Sequence, residues 1–338
     1  MEIEINKLPD SEIEIAGEIS AGDFESYREQ AVKEFSQNIH LDGFRPGKVP
    51  EKILIEKVGE QAIMERMAEM AIQKEYIKII KEKDIQVIGR PEVLITKMAK
   101  NNPLGFKIKT AVMPKIELAD YKIIASEIMK EKEEISVDEK EVDQTLEYLR
   151  KSRAQNNEKN EEILPELNND FAKTLGKFET LDDLKKVLHQ NLEEEKKSKN
   201  REQKRIKTLE KIIEQSKIEV PKIIIESEKE KLLEEVKVNV KQTGLTWENY
   251  LNQSKKNEEE LKNSYEEAAT KRAKFGLALN EIAEKEKIEI TEEEAKKEAE
   301  KMAEYYKNFG QNIDLERVKA YTYGILRNEK VFRLLESC

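Results

Sequence analysis

Residues 43–50 read Gly-Phe-Arg-Pro-Gly-Lys-Val-Pro, and they combine two glycines, two prolines, two cations and one aromatic side chain without an acidic residue. Glycine adopts backbone angles that other residues resist, and proline fixes φ at about −65°. Segments of helical pattern lie on both sides. We therefore predict a stiff loop between two helices that presents Phe44, Arg45 and Lys48 to solvent, as a docking surface would. The alternative is an ordinary turn whose two cations are simply solvated.

The chain as a whole is acidic and strongly charged, which limits the classes of partner. Its 338 residues include 71 acidic and 61 basic side chains, with a net charge of −10. These charges are dispersed along helical patterns, which indicates long solvated helices rather than disorder. A negative net charge speaks against general nucleic-acid binding. Any contact with RNA therefore has to be local, at Arg45 and Lys48.

Strand and helix patterns are mixed over residues 1–115. Isoleucines alternate with charged residues near the N-terminus, and residues 104–112 alternate most clearly, with the period of half-buried strands. The order β-β-α-loop-α-α-β-β predicts an α+β domain with the 43–50 loop between two of its helices. The other expected helices and short strands cover 24–35, 53–58, 63–80, 85–87 and 93–95.

The remainder of the chain has mainly helical patterns. Residues 116–163 are expected to form a connector, extended at 116–135 and then helical, which ends in the polar run 154–162. Residues 164–338 carry narrow apolar stripes at helical spacing. Such stripes predict an elongated, mostly α-helical C-terminal domain with projecting arms.

Several classes of protein are disfavoured by simple features of the sequence. Cys338 is the only cysteine, so an intramolecular disulfide is impossible. The N-terminus lacks the basic start and apolar run of a signal peptide, and no stretch approaches the ~20 apolar residues of a membrane span. We expect a soluble, cytoplasmic protein without a membrane partner.

Signals for catalysis or metal binding are missing from the sequence. His40 and His189 lie far apart, and neither belongs to a pattern of metal ligands. No nucleophile elbow, P-loop or dinucleotide fingerprint is present. We therefore expect no catalytic residue, no metal and no cofactor. His40 borders the 43–50 loop and is either a partner contact or an ordinary histidine at a helix end.

The pattern G-F-R-x-G-K-x-P at 43–50 resembles the ribosome-docking signature of trigger factor, the bacterial chaperone at the exit tunnel. Its place in the chain, after a strand pair and a helix, also fits that family. Further similarity lies at the junction where that family enters its C-terminal domain and at two later landmarks. These stretches are residues 164–167, 170–172, 178–184, 218–221 and 302–305.

The resemblance implies both a docking site and partners. It implies that the loop meets an exit-tunnel protein and adjacent rRNA, and that the helical region holds nascent and unfolded polypeptides. Many members of the family carry a second cation where this chain has Pro46. The free protein is a candidate homodimer. The implied ribosome-binding residues are Gly43, Phe44, Arg45, Pro46, Gly47 and Lys48.

Trigger factors usually carry an FKBP-type prolyl isomerase domain between the connector helix and the junction. In this chain, Arg153 and Leu164 are separated by only ten mostly polar residues, with no glycine or aromatic side chain. That segment is too short for a domain with a proline pocket. The sequence therefore predicts a chaperone of short form that is not an enzyme.

Met302, Tyr305, Tyr306 and Phe309 are spaced as one face of a helix. Methionine and tyrosine adapt to varied partners, so this face is a candidate client-binding surface. The alternative is that it packs against the final helix, expected near 315–335.

A different class of function is a helical tether or assembly factor that binds no client. Suppression of client aggregation would distinguish the chaperone from the tether.

Overall fold

The computed structural model describes residues 3–41, 44–131, 135–156, 162–308 and 314–338. The chain divides into two compact units, and each unit is built from two separate segments. The sequence-based boundaries at 115 and 163 follow chain order and remain a prediction. One unit combines Met1–Glu117 with Lys217–Leu277, and the other combines Leu118–Ser216 with Ala278–Cys338.

The first unit contains a four-stranded antiparallel sheet, as the alternating patterns predict. The strands are β1 (Ile3–Leu8), β2 (Glu12–Ile19), β3 (Val87–Lys97) and β4 (Leu104–Val112). Their order is β1-β2-β4-β3, so the N-terminal hairpin pairs with the last strand of the sheet. The short strand expected at 93–95 lies within β3, whereas only the last residue of the one expected at 85–87 does, because β3 begins at Val87. An irregularity interrupts β3 between Ile88 and Glu92.

Four helices accompany this sheet and bury one of its faces. Pairing of Ile15 with Ile108 places both side chains on the same face, and both are fully buried. Met67 of the longest of these helices belongs to the same apolar core. On the outer face, Lys109 pairs with Glu12 at 2.7 Å. The helices are α1 (Ala21–Glu25), α2 (Arg28–Asn38), α3 (Glu51–Val58) and α4 (Glu60–Glu82).

The second unit is organised around one long helix. Its described elements are α5 (Tyr121–Lys130), α6 (Glu139–Ser152), β5 (Gln155–Asn156), β6 (Glu162–Ile163), α7 (Asn169–Leu175), α8 (Leu181–Gln215), α13 (Glu292–Asn308) and α14 (Leu315–Glu336). A capping box of Thr180 and Asp183 begins the long helix α8. A small core of Leu146, Phe171 and Leu184 forms where α6 and α7 pack on α8.

The later segment of the first unit is helical. Trp247 stacks on Tyr250 with ring centroids 5.4 Å apart, and its indole N–H donates to Glu258 at 2.8 Å. Lys237 lies 5.6 Å from the centroid of the indole ring. These contacts join three helices into one cluster. The helices of this segment are α9 (Lys222–Gln242), α10 (Trp247–Ser254), α11 (Glu258–Asn263) and the first part of α12 (Glu266–Lys285).

An ion-pair cluster joins α8 to α14. Arg201 donates two hydrogen bonds to the carboxylate of Glu336, both at 2.6 Å. Arg205 donates to Glu336 at 2.6 Å and to Glu329 at 2.8 Å. Hydrogen bonds from Arg201, followed by those from Arg205, lower the pKa of Glu336 to about 2. The carboxylate is therefore held in its charged form.

The expected extended connector at 116–135 is wrong for residues 121–130, which form helix α5. The Asp120 side chain accepts a hydrogen bond from the Ile123 amide and begins the helix. Ile124 and Ile128 are then buried where α5 packs on α8 and α14. Isoleucine favours strands in isolation, but here tertiary packing decides the conformation.

The fold class predicted from the sequence is confirmed. A small antiparallel sheet with helices forms the N-terminal part, and the region that follows is largely helical. None of the helices in the described ranges combines the length and the apolar composition that crossing a bilayer requires.

Candidate functional site

The 43–50 loop connects α2 to α3, and its centre is a tight turn. The Lys48 amide donates to the carbonyl of Arg45 at 3.0 Å, and Gly47 has a φ of 80°. Proline at the second position and glycine at the third are the residues that favour a type II turn. Pro46 and Gly47 occupy those positions, so the local sequence specifies the turn. Arg45 and Lys48 are its two ends.

The base of the loop is attached to α2. The Gly47 amide donates to the carbonyl of Ser36 at 2.7 Å, and the Val49 amide donates to the hydroxyl of Ser36 at 3.0 Å. The Val49 side chain is buried and belongs to the core of the first unit. On the other side of the turn, the Phe44 amide donates to the carbonyl of Leu41 at 3.1 Å. The backbone of the loop is therefore fixed at several points.

The side chains of the turn point to solvent. Phe44 is 37% exposed, which is unusual for an aromatic side chain beside a core, and Arg45, Pro46 and Lys48 are exposed. Neither cation forms an ion pair with any residue in the described ranges. One apolar ring and two positive charges thus lie together on a fixed backbone. This arrangement can bind an anionic group next to an apolar niche.

The structure brings together most of the residues predicted for docking. Phe44, Arg45, Pro46, Gly47 and Lys48 form one continuous surface feature. Gly43 lies outside the described residues. His40 is exposed and follows the residue that ends α2, so it lies near the loop without a described contact to it.

The predicted client-binding residues lie near the end of α13. Met302 is half-buried, Tyr305 is 61% exposed and Tyr306 is 36% exposed. The two tyrosine rings meet edge to face with centroids 5.7 Å apart. Phe309 lies outside the described residues. Helix α13 packs on α14, where the buried hydroxyl of Thr322 donates to the carbonyl of Lys319 at 3.0 Å and lies 3.4 Å from the carbonyl oxygen of Ala295. The face is thus partly packed and partly open.

Helix α14 contributes exposed side chains that the sequence reasoning missed. Tyr321 is 62% exposed, and Tyr323 on the other side of Thr322 is 41% exposed. Residues two positions apart on a helix point in different directions, so one neighbouring helix cannot bury both tyrosines. The two-residue spacing of these tyrosines in the sequence could therefore have indicated that at least one of them is exposed. Leu315 and Ile325 are also exposed on α14.

The described ranges offer little for metal or thiol chemistry. No cluster of three or more histidine, cysteine or acidic side chains in these ranges is arranged to hold a metal ion. Cys338 is exposed, and its thiol contacts the carbonyl of Leu334. The 43–50 loop and the α13–α14 surface therefore remain the two candidate sites.

Two family models match the chain. The model for the bacterial trigger factor protein matches residues 1–149, and the model for the C-terminus of the same protein matches residues 180–336. A solved structure from work on promiscuous substrate recognition by the trigger factor chaperone superposes with a TM-score of 0.57. It covers 100% of this chain and 99% of its own, and at 20% identity it supports the fold alone.

Curated relatives agree with these matches. The trigger factor of Shouchella clausii is 26% identical over 88% of each chain, and that of Geobacillus kaustophilus is 27% identical over 91% of each. The trigger factor of Carboxydothermus hydrogenoformans is 25% identical in an alignment of 428 positions, which covers 100% of this chain and 99% of the relative. With both family models matched and relatives aligned over nearly the whole length, the chain belongs to the trigger factor family of bacterial chaperones.

Proposed function

We propose that this chaperone docks on the ribosome through the 43–50 loop and holds nascent or unfolded chains on its C-terminal helices. The observation that supports docking is the exposure of Phe44, Arg45 and Lys48 on a backbone fixed by the type II turn and by Ser36. A rigid loop loses little conformational entropy on binding. The resemblance of the loop to the family's docking signature supplies the identity of the partner.

The charges of the loop indicate what it would contact. Arg45 and Lys48 suit carboxylates of an exit-tunnel protein or phosphates of adjacent rRNA, and Phe44 suits an apolar niche between them. Because the chain as a whole has a net charge of −10, RNA contact is favoured at this cationic loop and not over the surface in general. A ribosomal partner places the protein in the cytoplasm.

Magnitudes show that the loop is an anchor and not the whole interface. Burial of Phe44 contributes roughly 1.5–3 kcal/mol, and each exposed ion pair contributes about 0–1 kcal/mol. Micromolar affinity requires about 8 kcal/mol after the costs of association. Surface next to the loop must supply the remainder.

Cosedimentation of the full chain with ribosomes tests the docking proposal. The combined change Phe44→Ala, Arg45→Ala and Lys48→Ala should abolish cosedimentation. A matched control is Leu94→Ala with Arg90→Ala and Lys97→Ala on β3, which also removes one exposed apolar side chain and two cations from the first unit. Normal cosedimentation of the loop variant would refute docking through this loop.

For client binding, we propose the surface formed by Met302, Tyr305, Tyr306 and Phe309 on and after α13, extended by Tyr321 and Tyr323 of α14. The described members of this set place exposed apolar rings among charged helices. Scattered apolar contacts of this kind give the weak, reversible binding that a chain still being synthesised requires. The surrounding charge keeps the surface soluble.

Suppression of aggregation of a chemically denatured test protein checks this surface. Tyr305→Ser, Tyr306→Ser and Tyr321→Ser together should raise the concentration needed for half-maximal suppression severalfold. Tyr148→Ser is a matched control, since Tyr148 is 73% exposed on α6. If the unchanged chain suppresses no aggregation at all, the helical tether is the better description of its function.

We further propose that the chain acts without a prolyl isomerase domain. The alignment with the Carboxydothermus hydrogenoformans protein has 428 positions, which exceeds the 338 residues of this chain by 90. At least that many positions have no residue of this chain opposite them. The family models leave only residues 150–179 between them. A proline-peptide turnover assay should give the uncatalysed rate.

A homodimer of the free protein is also proposed, to be measured by sedimentation equilibrium.

A further inference from the structure

One buried polar side chain, that of Ser36, contributes to the function proposed above only through its attachment to the 43–50 loop. Ser36 lies in the last turn of α2 and is only 3% exposed. A buried hydroxyl is costly unless it has a hydrogen-bond partner. The partner here is the loop, because the Ser36 hydroxyl oxygen accepts the buried amide of Val49 at 3.0 Å.

Ser36 holds the loop a second time through its backbone. Its carbonyl accepts the Gly47 amide at 2.7 Å. The last four carbonyls of a helix lack hydrogen-bond partners within the helix. The Gly47 amide supplies the partner for one of these carbonyls in α2. The carbonyl bond does not depend on the side chain, whereas alanine at position 36 removes the oxygen that accepts the Val49 amide. The two attachments can therefore be separated by mutation.

We propose that Ser36 is a positioning residue for docking, which fixes the 43–50 loop so that Phe44, Arg45 and Lys48 are presented together. The inference rests on the proposed ribosome-docking function. Ser36 is buried and does not touch the partner, so it acts through Val49 and the turn that precedes it. Without the hydroxyl, the Val49 amide is left buried and unpaired, which costs more than an amide exposed to water. The loop then moves to satisfy that amide, and docking has to restore its shape.

The test compares Ser36→Ala, Ser36→Thr and Ser26→Ala in the full chain. Threonine keeps the hydroxyl acceptor, and Ser26 is an exposed serine of the same unit, remote in sequence from the loop. Ribosome affinity is measured by cosedimentation at several salt concentrations. Amide hydrogen exchange is followed at Val49 and, as a reference for the core, at Ala31 and Met67.

Ser36→Ala should weaken ribosome binding roughly 3- to 10-fold. The slope of log affinity against log salt should not change, because Arg45 and Lys48 are still present. Exchange of the Val49 amide should accelerate while the amides of Ala31 and Met67 keep their protection. Ser36→Thr should restore both binding and protection, and Ser26→Ala should behave as the unchanged protein.

Three outcomes would overturn the inference. The first is normal binding by Ser36→Ala. The second is a uniform loss of protection that includes Ala31 and Met67, which would make Ser36 a residue of general stability. The third is weakened binding with the Val49 amide still protected. The variant that lacks Phe44, Arg45 and Lys48 separates the two proposals. If this triple variant still binds ribosomes, docking through the loop is refuted. If the triple variant fails to bind while Ser36→Ala binds normally, docking through the loop stands and the positioning role of Ser36 is refuted.

Discussion

Pro46 and Gly47 occupy the central positions of the type II turn, and each controls a different property of the loop. Pro46 fixes φ at the second position of the turn, and Gly47 provides the positive φ of 80° that the third position requires. The composition of residues 43–50 allowed a rigid, exposed loop to be predicted, since turn geometry is local. The attachment to Ser36 could not be predicted, because it depends on the way α2 and the loop approach each other.

Gly47→Ala should weaken ribosome binding about tenfold, since an alanine in this conformation costs roughly 1–2 kcal/mol. The added Cβ would lie 3.5 Å from Cγ of Gln37, an ordinary contact, so the effect comes from the backbone and not from a clash. Gly47→Asn is the control, because asparagine tolerates a positive φ. Cosedimentation in which both variants bind equally would contradict this prediction.

Pro46→Lys should make ribosome binding more sensitive to salt. The new cation lies between Arg45 and Lys48, and each additional phosphate that it neutralises should steepen the slope of log affinity against log salt by about 0.7–0.9. Pro46→Ala controls for the loss of the ring, and its slope should equal that of the unchanged protein. Identical slopes for the lysine and alanine variants would show that no phosphate lies within reach of position 46.

At the scale of elements, helix α8 shows which structural features follow from nearby residues. The capping box at Thr180 and the apolar spacing after it are local signals that specify the start of the helix. The ion pairs of Arg201 and Arg205 with Glu336 join residues 135 and 131 positions apart. Such pairs leave no pattern in the sequence. The same reason explains α5, whose burial against α8 and α14 overrides the strand preference of its isoleucines.

Protonation of Glu336 should make the second unit less stable in acid. Its pKa is lowered from 4.5 to about 2 in the folded chain, so its contribution is complete above pH 4.5 and is lost as the pH falls toward 2. The contribution is at most about 3.5 kcal/mol, because one pKa unit corresponds to about 1.4 kcal/mol. Glu336→Gln should lower the free energy of unfolding at pH 7, and the difference from the unchanged protein should shrink between these pH values.

Urea unfolding followed by circular dichroism at a series of pH values measures this difference. The control is Glu195→Gln, which changes an exposed glutamate of α8. A difference between Glu336→Gln and the unchanged protein that stays constant from pH 7 to pH 2 would contradict the assigned pKa.

At the scale of the whole molecule, each compact unit is made of two segments that are distant in sequence. Composition and periodicity correctly predicted a sheet-containing N-terminal part and a helical remainder. They could not show that residues 217–277 group with the sheet, because that depends on tertiary contacts. The expected boundary at 163 also separates α5 and α6 from α8, on which both helices pack.

A fragment of residues 164–338 should therefore be less stable than one of residues 118–338. The shorter fragment lacks α5, whose Ile124 and Ile128 are buried and contribute about 1.5–3 kcal/mol each. Both fragments contain 217–277, so any effect of that segment cancels in the comparison. Thermal unfolding by circular dichroism measures the difference, and equal midpoints would show that α5 and α6 are dispensable for the helical unit.

Trp247 is the only tryptophan of the chain, and its ring contacts Tyr250 and Lys237 while its N–H is bound by Glu258. The polarity around the indole thus depends on α9, α10 and α11 remaining together. Fluorescence excited selectively at the indole therefore reports on this helical cluster alone. Separation of these helices, by a client or by denaturant, would shift the emission without any attached dye, so the chain carries its own optical probe.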